Sequence, residues 1–460
     1  MLGHTEPVAT SDRWSVEQVL KLAPDAASVR AARALAAPRR WSDLGSNESL
    51  VWGRCQGSAR QPYQVTVDLT EPAFRCTCPS RKFPCKHGLA LLLLWAGGDG
   101  PRANGAVAHA AVSDFAAAWS SERSERAART EARRQVRAES PPDPEAQARR
   151  LAQRRSLMTA GLDDFELWLF DMVRQGLAAA RRQPFAYWDT AAARLVDAQV
   201  PGLAERVRAM AGEVHRRPDW ADHLLAEAGR WWLAVRAWRR WDELPGEVAG
   251  DLRTVLGWSR RGDDVLAGER VHDRWHVVGL RQDEDERLLS QRTWLWGEGT
   301  GRTALVLDFA AAGGTLAVAQ VLGSVVEGEL ALYPGSPPPR ARFTGDERVV
   351  GTPALRGQDA LTTLAGATTI EAALDAAAGY LAANPWHYRS PMLLARVAAT
   401  AHPSPAVVDE AGDSLPLAPD AALWSLLALS GGAPVDLFGE WYDDRLHAAS
   451  AVVDGELVGL

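Results

Sequence analysis

Cys76-Thr-Cys78 is followed, after six residues, by Cys85-Lys-His87. Three thiols and one imidazole, the side chains that zinc favours most, thus fall within twelve positions. Tetrahedral zinc asks for four such donors, and Cys₃His is a recurrent closed site that leaves no open position for water or substrate. A metal held this way maintains a fold and performs no chemistry. Paired disulfides are the competing reading of these thiols, and the tight Cys-x-Cys and Cys-x-His spacing argues against it.

Around the motif the local pattern is legible. Residues 49–55 and 63–69 are short runs with β-branched and aromatic residues, separated by the turn formers of Gln56-Gly-Ser-Ala-Arg-Gln-Pro62, and so predict a β-hairpin. Val65, Val67 and Leu69 alternate with Gln64, Thr66 and Asp68, the signature of a half-buried strand. Pro79 stiffens the first knuckle. Pro84 suits the first turn of a following helix, which places the Cys85 thiolate at the positive end of the helix dipole. Leu89 to Ala96 is continuously apolar and Gly97-Gly98 ends it.

This β-β-metal-helix order with CxC-x₆-CxH spacing resembles the SWIM zinc finger family over roughly residues 48–97. Gly57-Ser58, Tyr63, Cys78-Pro79 and Cys85-Lys86-His87-Gly88 add to the likeness. By position, the resemblance makes Cys76, Cys78, Cys85 and His87 the zinc ligands. It also implies binding to DNA or to other proteins. Stand-alone bacterial members of this build look like companions of MoxR-type AAA+ ATPases and von Willebrand-type proteins.

Arg75, Arg81, Lys82 and Lys86 crowd the motif. They read either as nucleic-acid or partner contacts or as cations that steady a site in which three thiolates and Zn²⁺ leave one net negative charge. A helix that reads a groove needs Arg, Asn or Gln on its outer face. Leucines and Trp95 surround this one, so burial against protein is expected and the second reading is preferred. Cys55 lies outside the motif and is expected as a buried apolar thiol.

The whole chain of 460 residues carries a formal net charge of -7, with 47% hydrophobic and 24% charged residues. That length exceeds one ordinary core, and the negative balance gives no global attraction to nucleic acid or anionic lipid. The opening Met1-Leu-Gly-His-Thr-Glu-Pro7 has neither a basic nor an apolar stretch, so no secretory signal is expected there. No apolar run reaches the roughly 20 residues of a membrane span. Reduced, metal-binding thiols favour the cytoplasm.

An α+β organisation follows. Residues 1–100 are expected to hold the β-hairpin, zinc and helix module behind a helix over 12–37 capped by Ser15. Residues 101–160 are expected as an Ala/Arg-rich helical linker. Between Glu122 and Arg155, ten arginines face six acidic residues around a break at Pro141-Pro-Asp-Pro144, which suits a solvated helix more than a nucleic-acid arm. Residues 161–260 predict a helical domain, with a stripe of Leu162, Phe165, Leu169, Val173 and Leu177 and further helices over 202–215, 219–241 and 245–257. Trp231, Trp238 and Trp241 share one side there, opposite Arg236 and Arg240, which favours core over base stacking.

Residues 261–460 predict a mixed antiparallel β and helix domain. Strands are expected over 274–280, 292–296, 303–309, 329–333 and 435–441, with a helix over 369–383 capped from Thr368. Enzyme motifs are missing: there is no HExxH, GxSxG or GxxxxGK[ST]. Gly297-x-Gly-x-Gly301 joins two strands, and His272 and His276 sit about 13 Å apart along one strand. Asp283-Glu-Asp-Glu286 reads as a solvated loop. The chain is therefore expected to be a non-catalytic, zinc-stabilised protein-interaction adaptor with no small-molecule substrate. Nucleic-acid binding through the basic residues is the alternative, and an enzyme site in the C-terminal region a third reading.

Overall fold

The computed structural model describes residues 16–22, 26–57, 61–69, 73–78, 84–97, 107–122, 125, 143–284, 288–311, 320–345, 348–351, 364, 366–419 and 422–460. Ser15, Ser58, Pro79, Arg81, Lys82, Asp285 and Glu286, singled out above, lie outside these residues, as does nearly all of 123–142. The fold is α+β, with two helices, a four-stranded sheet and a third helix first, then helices, then two further sheets with helices.

Two helices, α1 (Val16–Lys21) and α2 (Ala26–Leu35), stand where one was expected. Strands β1 (Trp41–Ser46), β2 (Leu50–Cys55), β3 (Tyr63–Asp68) and β4 (Ala73–Cys76) form an antiparallel meander in sequence order. The predicted hairpin is its centre, with Leu50 opposite Asp68 and Cys55 opposite Tyr63. Helix α3 (Lys86–Ala96) buries every residue from His87 to Trp95, against Val51, Val65 and Val67 of the sheet and Val19 and Ala32 of the first two helices.

Thr66, expected on a solvated face, is buried. The opposite face of the sheet is covered by residues 114–122 (α4), whose Ala116 and Trp119 pack on Trp52. The start of the expected linker is thus part of the module, because β3 is an inner strand with protein on both sides.

The central helices begin earlier than the Leu162 stripe implied. Helix α5 (Pro144–Gln175) starts behind an Asp143 cap that accepts from Glu145 N and Ala146 N. It stops at Gly176, whose φ of 89° no helix continues. Met172 therefore completes the buried stripe, Val173 is exposed, and Leu177 opens the short α6 (Leu177–Arg181). Then come α7 (Phe185–Asp197), α8 (Pro201–Arg216), α9 (Trp220–Arg239) and α10 (Gly246–Val255). Helix α7 was not foreseen; its buried face is Trp188, Ala191, Ala192 and Leu195, and two alanines weaken a hydrophobic period. Trp231 and Trp238 lie in the bundle core, with Trp241 half-buried beside it and Arg236 exposed.

After α11 (Gly262–Leu266) come β5 (Arg270–Glu284), β6 (Leu288–Gly297), β7 (Thr303–Ala311), β8 (Val325–Leu332), β9 (Arg340–Phe343) and β10 (Arg348–Gly351). The sheet is antiparallel, as expected, at every pairing but one: β9 pairs in parallel with β7 and antiparallel with β8, so the order β5-β6-β7-β9-β8 closes on itself as a barrel. Trp275, Val277, Leu295, Val306 and Leu330 fill its interior, which is why the strands curl shut.

The last unit has helices α12 (Ile370–Ala383) and α13 (Ala422–Ser430). Its strands are β11 (Ser390–Thr400), β12 (Ala406–Val408), β13 (Ser414–Pro416), β14 (Val435–Tyr442), β15 (Arg445–Val453) and β16 (Glu456–Gly459). Thr369, not Thr368, caps α12, its hydroxyl accepting from Ala372 N at 3.3 Å.

One buried carboxylate ties this unit to the barrel. Glu440 of β14 accepts from Trp294 Nε1 at 2.8 Å, Arg292 Nε at 3.2 Å and Arg389 Nη1 at 3.3 Å. Burial pushes its carboxyl up, but Arg292, Trp294, Arg389 and Arg281 outweigh that and hold it below the usual carboxylate range. Glu440→Ala takes away the carboxylate that Arg292 and Arg389 share and leaves Arg292 only Asp283, at 2.9 Å. We expect it to lower stability in urea unfolding by about 3–5 kcal/mol, and an effect below about 1 kcal/mol would remove this role.

Candidate metal centre

Each ligand is placed by a local device. Cys76 ends β4 opposite Val65. Beyond it, Thr77 N donates to Gln64 O at 3.1 Å and Thr77 Oγ1 accepts from Gln64 N at 3.0 Å, so the chain stays pinned to β3 as it delivers Cys78. Cys85 is the cap of α3, in extended conformation, with its sulfur accepting from Gly88 N at 3.4 Å. Pro84 therefore precedes the cap and does not enter the first turn, because a sulfur acceptor takes the cap position. His87 follows, buried, in the first turn.

The donor atoms of Cys76, Cys78, Cys85 and His87 all lie within 4.8 Å of one another, and Cys76 Sγ is 3.8 Å from His87 Nδ1. A tetrahedron with metal–sulfur bonds of about 2.3 Å has edges near 3.8 Å. The four predicted ligands thus converge as a zinc site requires. Among the described residues no other set of three or more His, Cys, Asp or Glu side chains converges in this way. His272 and His276 form no pair; His276 meets Glu298 at 3.1 Å.

Crowding and burial make the thiols of the tetrad hold their protons tightly. Hydrogen bonds with Cys78 and Cys85, then burial, raise Cys76 far above its ordinary value. For Cys85, the hydrogen bond with Cys76 pulls downward, but the one with Cys78, together with burial, leaves it at about 11. Three crowded sulfurs cannot ionise together without a cation. A Zn²⁺ supplies that charge and displaces the protons.

Packing around the tetrad gives roles to residues that the sequence marked without explaining. The Tyr63 ring lies 4.9 Å from the His87 ring, centroid to centroid. A Cβ on Gly57 would come within 2.3 Å of the Tyr63 ring, so glycine is what lets Tyr63 lie where it does. A Cβ on Gly88 would meet Phe74 Cδ1 at 3.0 Å. Phe74 was not foreseen; its one signal is an aromatic two residues before the first ligand. Cys55 ends β2, fully buried and apart from the tetrad. Burial outweighs Arg40 and Lys86 to push its thiol up to about 11.

Of the basic residues, Lys86 opens α3 and is exposed, while Arg75 is ion-paired with Glu122 of α4 at 3.2 Å.

Residues 63–96 match the SWIM zinc finger family. The chain carries a SWIM zinc finger. Residues 153–256 match a second family, the SWIM-associated four-helix bundle domain, which here corresponds to α5, α7, α8 and α9 with the short helices around them. No curated protein and no solved structure matches the chain.

Zinc at the SWIM finger decides whether the module folds, since structural zinc contributes on the order of 10–16 kcal/mol at neutral pH. Cys78→Ser should abolish stoichiometric zinc in elemental analysis and open residues 48–97 to proteolysis. The pH dependence has a fixed sign. Metal requires thiolates and raised thiol pKa values oppose them, so zinc retention falls as pH falls, and each proton displaced contributes a tenfold loss per unit. Retention independent of pH between 7 and 5 would contradict thiolate ligation.

Proposed function

We propose that this chain is a non-catalytic interaction protein whose zinc clamps the N-terminal module and whose helical bundle presents the docking surface. The observation that carries this reading is an apolar face along α5 and α9. Arg239 of α9 binds Asp163 and Glu166 of α5 at 2.7 Å and 2.6 Å, and Trp238 Nε1 donates to Thr159 Oγ1 at 2.9 Å. Arg155–Asp242, Thr159–Trp238 and Phe165–Trp231 form an antiparallel ladder between the two helices, and continued along α5 it brings Phe170 level with Glu227, between Leu225 and Trp232. Leu167, Phe170, Leu225 and Trp232 are exposed by 64, 41, 55 and 38%. Large apolar side chains grouped in solvent mark a protein-contact surface, and Trp is enriched among the residues that anchor one.

The SWIM finger supports the same reading. Its helix is buried along its length, so it has no outer face with which to enter a groove. On the resemblance of bacterial SWIM proteins, the partner we propose is a MoxR-type AAA+ ATPase or a von Willebrand-type protein, met in the cytoplasm. Among the described residues no helix is long and apolar enough to cross a membrane. Nucleic-acid binding is the weaker reading: Lys86 is exposed for it, and Arg75 is committed to Glu122.

Capture of partners by the intact protein, compared with Trp232→Glu and Phe170→Glu, tests the proposal. Both variants should keep zinc and thermal stability while binding falls at least tenfold. An unchanged set of captured proteins would move the docking surface off this face. Captured partners that include neither ATPase nor von Willebrand-type protein would remove the finer assignment. Binding to random DNA that weakens steeply with salt would bring the nucleic-acid reading forward.

A further inference from the structure

Where α5, α10 and the segment before α11 meet, two arginines lie against one tryptophan and a third adjoins them. The Arg154 guanidinium lies 5.2 Å from the Trp258 ring centroid and that of Arg253 lies 4.3 Å from it. Arg253 Nε donates to Trp258 O at 3.0 Å and its Nη2 to Ser259 O at 3.1 Å. These bonds fold the segment back so that Arg260, the next residue, comes beside it. None of the three makes an ion pair with a carboxylate among the described residues. Arg154 Nε is buried and meets no acceptor.

Like charges gather in protein only against a penalty. Burial, then Arg260 and Arg154, weaken the hold of Arg253 on its proton, and the attraction of Asp264 is the smallest of the four influences. A buried donor without an acceptor calls for an ion or water to answer it. Cation–π contact with Trp258 offsets part of the cost, but it adds no acceptor for the free N–H groups.

We propose that Arg154, Arg253 and Arg260 form a binding site for a phosphate group. A carboxylate offers two oxygens and is matched by one guanidinium fork. Donors arriving from three separate positions suit a tetrahedral anion with more oxygens and a double charge. The site recognises phosphate and not a base, because Trp258 is buried, with guanidiniums against its ring, and offers no surface for stacking.

The test is calorimetric titration and thermal unfolding of the full-length zinc-loaded protein with inorganic phosphate, with adenosine 5′-monophosphate and with sodium chloride at matched ionic strength. Phosphate at ten times its Kd should raise Tm by about 2–4 °C over chloride. The nucleotide should bind through the same site and compete with phosphate, which covers both free and esterified sources. Arg260→Gln should weaken both at least tenfold without changing the unliganded Tm by more than a degree or so. Arg154→Gln should do the same, and if that variant does not fold, Arg260→Gln alone decides. Equal phosphate responses in wild type and Arg260→Gln, a shift matched by chloride, or nucleotide binding without phosphate binding would each overturn the assignment.

Discussion

Three sulfurs and a ring nitrogen within 4.8 Å of one another form an arrangement that a protein cannot keep in its ionised form without a cation. The end of β4 and the cap of α3 bring them together. The thiols respond by holding their protons. Everything in the SWIM module is arranged over this point. The meander supplies one knuckle, α3 the other, and the Tyr63 ring packs on His87.

The composition of α3 carries a second consequence. A helix that is apolar on nearly every side finds a stable place only when covered on every side. The sheet covers one flank, α1 and α2 the others, and α4 seals the far side of the sheet. The finger is consequently a core, and a core does not read a partner through its helix. On the function proposed above, recognition falls to other surfaces, among them the α5–α9 face with its exposed Leu167, Phe170, Leu225 and Trp232.

How much of this was written in the sequence depends on the length scale of the signal. The zinc ligands were fully legible because their chemistry and spacing are local. So was the β2–β3 hairpin, whose turn formers and branched residues lie within twenty positions. Helix α7 escaped notice because alanines form half of its buried face. The parallel pairing of β7 with β9 was invisible for another reason: it joins Leu305 to Arg340, and no local pattern announces such a partner. The same holds for Thr66, polar by composition and buried because a helix some fifty residues away lies over Trp52. Phe74 carried almost no signal, and its contact with Gly88 exists only once α3 is docked.

Helix α5 joins the two surface features of the bundle. At 1.5 Å per residue, Arg154 and Phe170 lie about 24 Å apart along it. A phosphate is only a few ångströms across, so an anion at one end leaves the apolar face at the other free for a protein. The two differ in physics as well as place. The binding proposed at the arginines would rest on charge and weaken with salt, whereas the docking proposed on Phe170 and Trp232 would rest on apolar burial and would not. Salt titration therefore separates them on a single protein. Because both ride on one stiff helix that also packs the bundle core through Leu162 and Phe165, they share a fixed geometry without sharing atoms.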